Sequence, residues 1–189
     1  MTALATTTDV ETRLGRSLSE TETARAEAFL DDASALVVSY TGQQFLPGTS
    51  YNLLQVKQGN KIRLTQRPAT DVLSLTNTDG DDVLFTWDGF QTIVVENPTI
   101  CNGDRLIVSY EHGNATVPND VVSVVSAMVA RTISIPTEAA AGVTQQTVGP
   151  FSVTYANWAV GGQVMISPTE QTVLNRYRTN LQGTIETLG

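Results

Sequence analysis

The amino-acid sequence predicts an α+β fold: a small helical bundle with an inserted antiparallel β module and a β-hairpin arm. Three observations carry this reading. Apolar residues recur at helical spacing up to about Tyr40. Between about Tyr51 and Tyr110 the spacing drops to alternation, with turn residues separating short runs. Helical spacing returns at Pro118. The organisation that follows is a helical core from 1–46 and 114–189, an inserted β module from 47–113, an arm at 143–155 and a tail at 184–189.

The helical part begins with two capping signals. Thr8 followed by Glu11 has the capping-box pattern and starts a short helix that Gly15 stops. Ser19 followed by Glu22 repeats the pattern and opens a helix from about Glu20 to Tyr40. Its residues Phe29, Ala33, Leu36, Val37 and Tyr40 sit at offsets of 0, 4, 7, 8 and 11, which is one helical face. Glu22, Glu27, Asp31 and Asp32 make the other side acidic.

The β module offers six strands: Tyr51–Lys57, Lys61–Thr65, Val72–Asn77, Val83–Trp87, Gln91–Glu96 and Arg105–Tyr110. Gly59-Asn60, Asp79-Gly80 and Asp88-Gly89 supply the positive φ that tight turns need. Lys57, Lys61, Arg63 and Arg67 fit one face of a hairpin, either as a solvated strand face or as a phosphate-binding patch.

After Pro118, PNDVVSVVSAMVAR is rich in β-branched valine, but its length and its opening proline favour a helix. Val121, Val122, Val124, Val125, Met128 and Val129 form a broad apolar face. Ser123, Ser126, Ala127 and Ala130 form a small-residue face, suited to a central core helix or to close approach by another subunit. Phe151, Val153 and Tyr155 alternate with polar residues after Gly149-Pro150, so Val143 to Tyr155 reads as a hairpin arm that folds back or reaches a neighbour. The last helix starts at Ser167, with Pro168 at its first position and Glu170 closing the capping box. It carries Val173, Leu174, Tyr177 and Leu181 on one stripe and ends at Gly183. In the tail, Ile185 and Leu188 are apolar and spaced to order against a partner.

Composition excludes several chemistries. The 189 residues carry a net charge of −8, which disfavours nucleic-acid binding. The single cysteine, Cys101, precludes an intrachain disulfide and fits a reducing compartment. The first residues lack the features of a signal peptide, and no apolar run approaches a membrane span, so no membrane association is expected. His112 is the only histidine, expected in a loop with a backbone hydrogen bond, and no catalytic residue is assigned. One His and one Cys cannot make a typical zinc site, and Asp79, Asp81 and Asp82 lack EF-hand spacing, so no metal is expected. No P-loop or dinucleotide fingerprint is present, and no cofactor is expected. Trp87 and Trp158 are candidate sugar-stacking residues.

Four stretches, in order, resemble the head-to-tail adaptor (connector, head-completion) proteins of long-tailed bacteriophages: Thr6–Gly42, Leu64–Gly80, Val108–Arg131, and Gly142–Ala156 followed by the SPTEQTVLNRYR helix. The resemblance implies a non-enzymatic virion protein, assembled in the host cytoplasm. It implies a homo-oligomeric ring of twelve subunits under the portal protein, meeting a stopper or tail-side connector protein. It also implies a channel through which DNA passes without specific binding. On this reading Ile185 and Leu188 are the portal-binding candidates. Ser123, Ser126, Ala127, Ala130, Phe151, Val153 and Tyr155 are the subunit-interface candidates. The inserted β module is larger than in the most compact relatives. The alternatives are another connector ring, such as a stopper, or a phage-associated β module that binds glycan or a capsid component.

Overall fold

A computed structural model describes residues 2–135, 145–148, 151–154, 162–178 and 186–187. The fold is α+β, as the sequence predicts, and the chain divides into two compact units. The first unit comprises Met1–Tyr40 and Pro118–Arg176, and the second Thr41–Val117 and Tyr177–Gly189.

The helical unit contains α1 (Thr7–Leu14), α2 (Glu20–Thr41), α3 (Asn119–Ile133) and α4 (Pro168–Leu174). Its first helix begins one turn-signal earlier than expected. Thr6 is the N-cap and Asp9 closes the box, because Asp9 accepts from the Thr6 N–H at 2.8 Å while the Thr6 hydroxyl accepts from the Asp9 N–H at 3.3 Å. Gly15 ends the helix in the left-handed region at φ 66°. Ser19 and Glu22 form the predicted second box.

The buried face of α2 is rotated from the predicted one by about one residue. Ala26, Leu30, Ala33, Ser34 and Val37 face inward, whereas Leu36 is 38% exposed. Small residues set this face: Ser34 donates to the Leu30 carbonyl and accepts the Leu4 N–H at 2.9 Å, tying the N-terminal residues to the helix. The Val-rich segment is helical, and α3 is buried nearly all round, with α1 and α4 packed against it. Burial on several sides outweighs the β-preference of valine. A two-stranded hairpin of β7 (Gln145–Val148) and β8 (Phe151–Thr154) forms within the predicted arm.

The β unit holds a four-stranded antiparallel sheet of order β3-β6-β1-β9 and a three-stranded one of order β2-β5-β4. The strands are β1 (Gly48–Gln55), β2 (Lys61–Arg63), β3 (Ala69–Thr76), β4 (Phe85–Trp87), β5 (Thr92–Val95), β6 (Arg105–His112) and β9 (Glu186–Thr187). One core serves both sheets: Leu54, Leu75, Leu106, Val108 and Tyr110 from the larger, Ile62, Ile93 and Val95 from the smaller.

Polar groups close one end of this core. The Tyr110 side chain is fully buried, and its hydroxyl lies 2.9 Å from the Thr65 hydroxyl. It accepts from the Gln66 N–H at 3.0 Å and from the Asn52 side chain at 3.4 Å. Gln43 reaches the same place, donating to the Thr65 carbonyl and accepting the Arg67 N–H. Gly113 then passes so near residue 46 that a Cβ would lie 2.2 Å from the Leu46 carbonyl oxygen. At φ 102° only glycine fits comfortably.

The last helix is shorter than predicted. The α-helical part stops at Leu174, and Asn175–Tyr177 is a 3-10 turn. The Arg67 guanidinium donates to the Tyr177 and Arg178 carbonyls, at and just beyond the end of this turn. Tyr177 instead packs edge-on against Phe45 at 5.2 Å. Leu181 lies outside the described residues.

Tyr110→Phe removes the hydroxyl but leaves the buried Thr65, Asn52 and Gln66 groups around it. We expect a loss of about 1–3 kcal/mol in chemical denaturation, with an unchanged m-value. A loss near zero would show that these groups find other partners.

Candidate interaction surfaces

The predicted small-residue face of α3 is largely committed within the chain. Arg13 of α1 donates from Nε to the Ser126 hydroxyl at 2.7 Å and from Nη2 to the Ser123 hydroxyl at 2.5 Å. The Ser126 hydroxyl in turn donates to the Val122 carbonyl. Ser126 and Ala130 are buried, Ala127 is half-buried, and only Ser123 is exposed. An arginine on one helix and two serines one turn apart on another gave no joint sequence signal. At the far end of α3, Arg131 holds Glu170 at 2.9 Å and donates to the Met165 carbonyl. Burial pushes the Glu170 carboxyl upward, but Arg131 and the Ser167 cap more than offset this, leaving it below its usual range.

The outward side of α2 carries a second stripe. Arg25, Phe29, Asp32, Leu36 and Ser39 recur at 0, 4, 7, 11 and 14, and Arg25 lies over the Phe29 ring at 5.6 Å. Phe29, Asp32, Ala35, Leu36 and Ser39 line an open groove of about 620 Å³, whose other wall is Gly162–Val164. Asp31 is exposed beside it. Among the described residues neither Asp31 nor Asp32 has an ion-pair partner. The predicted face of Phe29 and Leu36 is therefore a surface, one residue's rotation away from the core stripe.

The β unit presents two further faces. On the smaller sheet, Lys61, Val94 and Thr86 are cross-strand neighbours, as are Arg63 and Thr92. Ile62, Ile93 and Val95 point the other way, into the core. The four basic residues expected on one hairpin face separate here. Lys57, Lys61 and Arg63 are exposed, whereas Arg67 turns in to the Tyr177 and Arg178 carbonyls. On the larger sheet, Tyr51, Leu53 and Ile107 share the outer face. Leu73 is 52% exposed beside a register shift in β3, which re-aims it outward. Leu84 and Phe90, at 76% and 59% exposure, stand on connections flanking β4.

Residues with chemical potential occupy structural places. His112 is the last residue of β6 rather than a loop residue, paired with Gly48 and Ala69. It is buried beside Tyr110, and its Nδ1 lacks the expected backbone hydrogen bond among the described residues. Cys101 is exposed on a turn closed by Asp104. The acidic turn is organised by Asn77, whose side-chain Oδ1 accepts the Asp79 and Asp81 N–H groups. Among the described residues no group of three His, Cys, Asp or Glu side chains could hold a metal. Trp87 packs against the β core instead of standing free for a sugar, and Trp158 lies outside the described residues. Among the described residues no helix is long and apolar enough to cross a membrane.

The remaining predicted positions are only partly visible. Phe151 pairs with Val148 and Val153 with Gln146 along the hairpin backbone. Tyr155, Ile185 and Leu188 lie outside the described residues. Between the last two, Glu186–Thr187 adds a short antiparallel strand to β1, opposite Leu53 and Asn52.

Burial lowers the His112 pKa from its ordinary value of 6.5. The unfolded chain therefore takes up this proton first as pH falls. Stability contributed by neutral His112 is fully present above about pH 6.5 and declines below it, until the folded protein protonates as well. Because His112 is the only histidine, a urea midpoint that falls between pH 7.5 and 5.5 in the wild type should change less in His112→Gln. An identical pH slope in both proteins would contradict this.

No protein-family model matches the chain, and no curated protein matches it. Solved structures do. A chain in the neck of an empty GTA particle computed with C6 symmetry is similar over 100% of this chain and 96% of its own length, at 16% identity and a TM-score of 0.55. A chain in the neck of a native GTA particle computed with C12 symmetry gives a TM-score of 0.49 at 16% identity, with the same coverage. A chain of the virion of a native gene transfer agent particle covers 91% of this chain and 82% of its own, at 15% identity and a TM-score of 0.48. At this identity the first likeness shows a shared fold, in an alignment that covers 100% of this chain.

Proposed function

We propose that this chain is a non-enzymatic structural subunit of a phage-type neck: one copy in the adaptor ring beneath the portal, joining head to tail. The observation that carries the proposal is the end-to-end fold likeness to a chain in a particle neck, at a TM-score of 0.55. Fold alone does not specify function. The reading gains support from the independent sequence resemblance to head-to-tail adaptors and from exposed apolar residues on both units, including Leu36, Tyr51 and Leu73.

In this role the chain forms a ring of twelve, contacts the portal on one side and a stopper or tail-side connector on the other, and resides in the virion after assembly in the host cytoplasm. A net charge of −8 suits a channel through which DNA slides without being retained by phosphate pairing. The hairpin residues Phe151 and Val153, with Tyr155, are proposed to meet a neighbouring subunit, as are the more accessible α3 positions Ser123 and Ala127. Ile185 and Leu188 are proposed to anchor the tail on the portal. Among the described residues β9 pairs with Leu53 and Asn52 of β1, so release of this two-residue strand for such an anchor would open few hydrogen bonds.

Complementation tests this. Particles assembled without the chain should accumulate as DNA-filled heads lacking tails. Wild-type protein should restore tails. A chain truncated after Gly183 should fold with a melting temperature within a few degrees of wild type yet restore few tails. Normal tailed particles in the absence of the chain would overturn the proposal. Full rescue by the truncated chain would remove the tail as the anchor.

A further inference from the structure

We infer that the α2 groove of one copy seats the outer face of the β2–β5–β4 sheet of the next copy, with Asp31 and Asp32 opposite Lys61 and Arg63. This inference rests on the ring reading and names one of its interfaces.

Two surfaces of the same chain complement each other in three respects. The first is charge. Asp32 lies in the groove with Asp31 exposed beside it, and neither meets a cation among the described residues. Lys61 and Arg63 are exposed on β2 and meet no carboxylate among the described residues. The second is apolar content. Phe29, Ala35 and Leu36 line the groove around Asp32, and Val94 sits directly across from Lys61 on the opposing face. Charges set among apolar groups interact more strongly once water leaves, and their pattern fixes orientation more than total affinity.

The third is size. Phe29 to Leu36 spans two helical turns, about 10 Å along the axis. Three residues of β2 cover about 10 Å, with Lys61 and Arg63 on one side roughly 6.6 Å apart.

Within a ring, this groove-to-sheet contact is heterologous. Each copy presents its groove to one neighbour and its sheet to the other, and such contacts close into a ring where the rotation permits. Arg25 sits on the Phe29 ring at one end of the stripe, so the negative seat lies toward Leu36.

Charge reversal tests this with the full chain, by sedimentation velocity at low ionic strength and protein concentrations up to the millimolar range. Wild type should associate in a concentration-dependent way, more weakly as salt rises. Asp31→Lys/Asp32→Lys and Lys61→Glu/Arg63→Glu should each weaken association at least ten-fold. An equimolar mixture of the two variants should associate again, since each supplies the complement the other lacks. The four positions are exposed or line an open groove, and matching melting curves will verify the folds. A variant that melts early is replaced by Asp32→Asn or Arg63→Gln, with a smaller expected weakening. Association that ignores both reversals, a mixture that fails to recover, or a wild type that stays monomeric throughout overturns this interface. None of these results alters whether the chain restores tails to particles, the outcome that decides the neck reading itself.

Discussion

The β unit depends on one buried hydroxyl. Tyr110 stands at the end of β6, and its oxygen gathers Thr65, Gln66 and Asn52 from two other stretches of chain. A phenol without partners would be costly in a core otherwise made of leucine, valine and isoleucine. With them it fixes where the 65–67 segment crosses the larger sheet. Further constraints follow from that crossing. Gln43 binds both Thr65 and Arg67, Arg67 reaches the Tyr177 and Arg178 carbonyls, and Gly113 slips past Leu46 without a side chain. His112, one residue pair beyond Tyr110 on the same face, is buried by the same closure. The polar network specifies a geometry that apolar packing alone would leave loose.

The helical unit solves a different problem. A helix as apolar as α3 needs cover on most sides, and α1 and α4 supply part of it. The helices are joined through charged or polar ties at their ends: Arg13 to Ser123 and Ser126, Arg131 to Glu170, Arg176 to Asp120, and Tyr40 to Asn175. The side of α2 that carries Phe29, Asp32 and Leu36 lines the open groove.

Local signals were legible in the sequence where a few adjacent residues determine the outcome. Gly15, the Ser19–Glu22 box, Ser167 and the Gly59-Asn60 turn each act over four residues or fewer, and each stands where it was read. The cap read at Thr8 with Glu11 falls instead at Thr6, because Asp9 lies three residues on and closes the box. Periodicity alone could not choose between two overlapping stripes on α2, since alanines at 26 and 33 make the true core stripe look weak. Features built by distant residues left no trace. Nothing near Arg67 announces its bond to Tyr177, 110 residues away, and nothing near Ser126 announces Arg13. The surfaces proposed for assembly belong to this second class, because a ring contact depends on residues far apart in the chain and on a second copy.

The central claim is that this chain occupies one ring of a neck between portal and tail. An asymmetric electron cryo-microscopy reconstruction of the neck of particles that carry it tests that claim directly. The account predicts density for a ring of copies immediately beneath the portal, each fitted by the helical and β units described above. Well-resolved neck density with no place for this fold, or the chain found on the capsid surface instead, would contradict it.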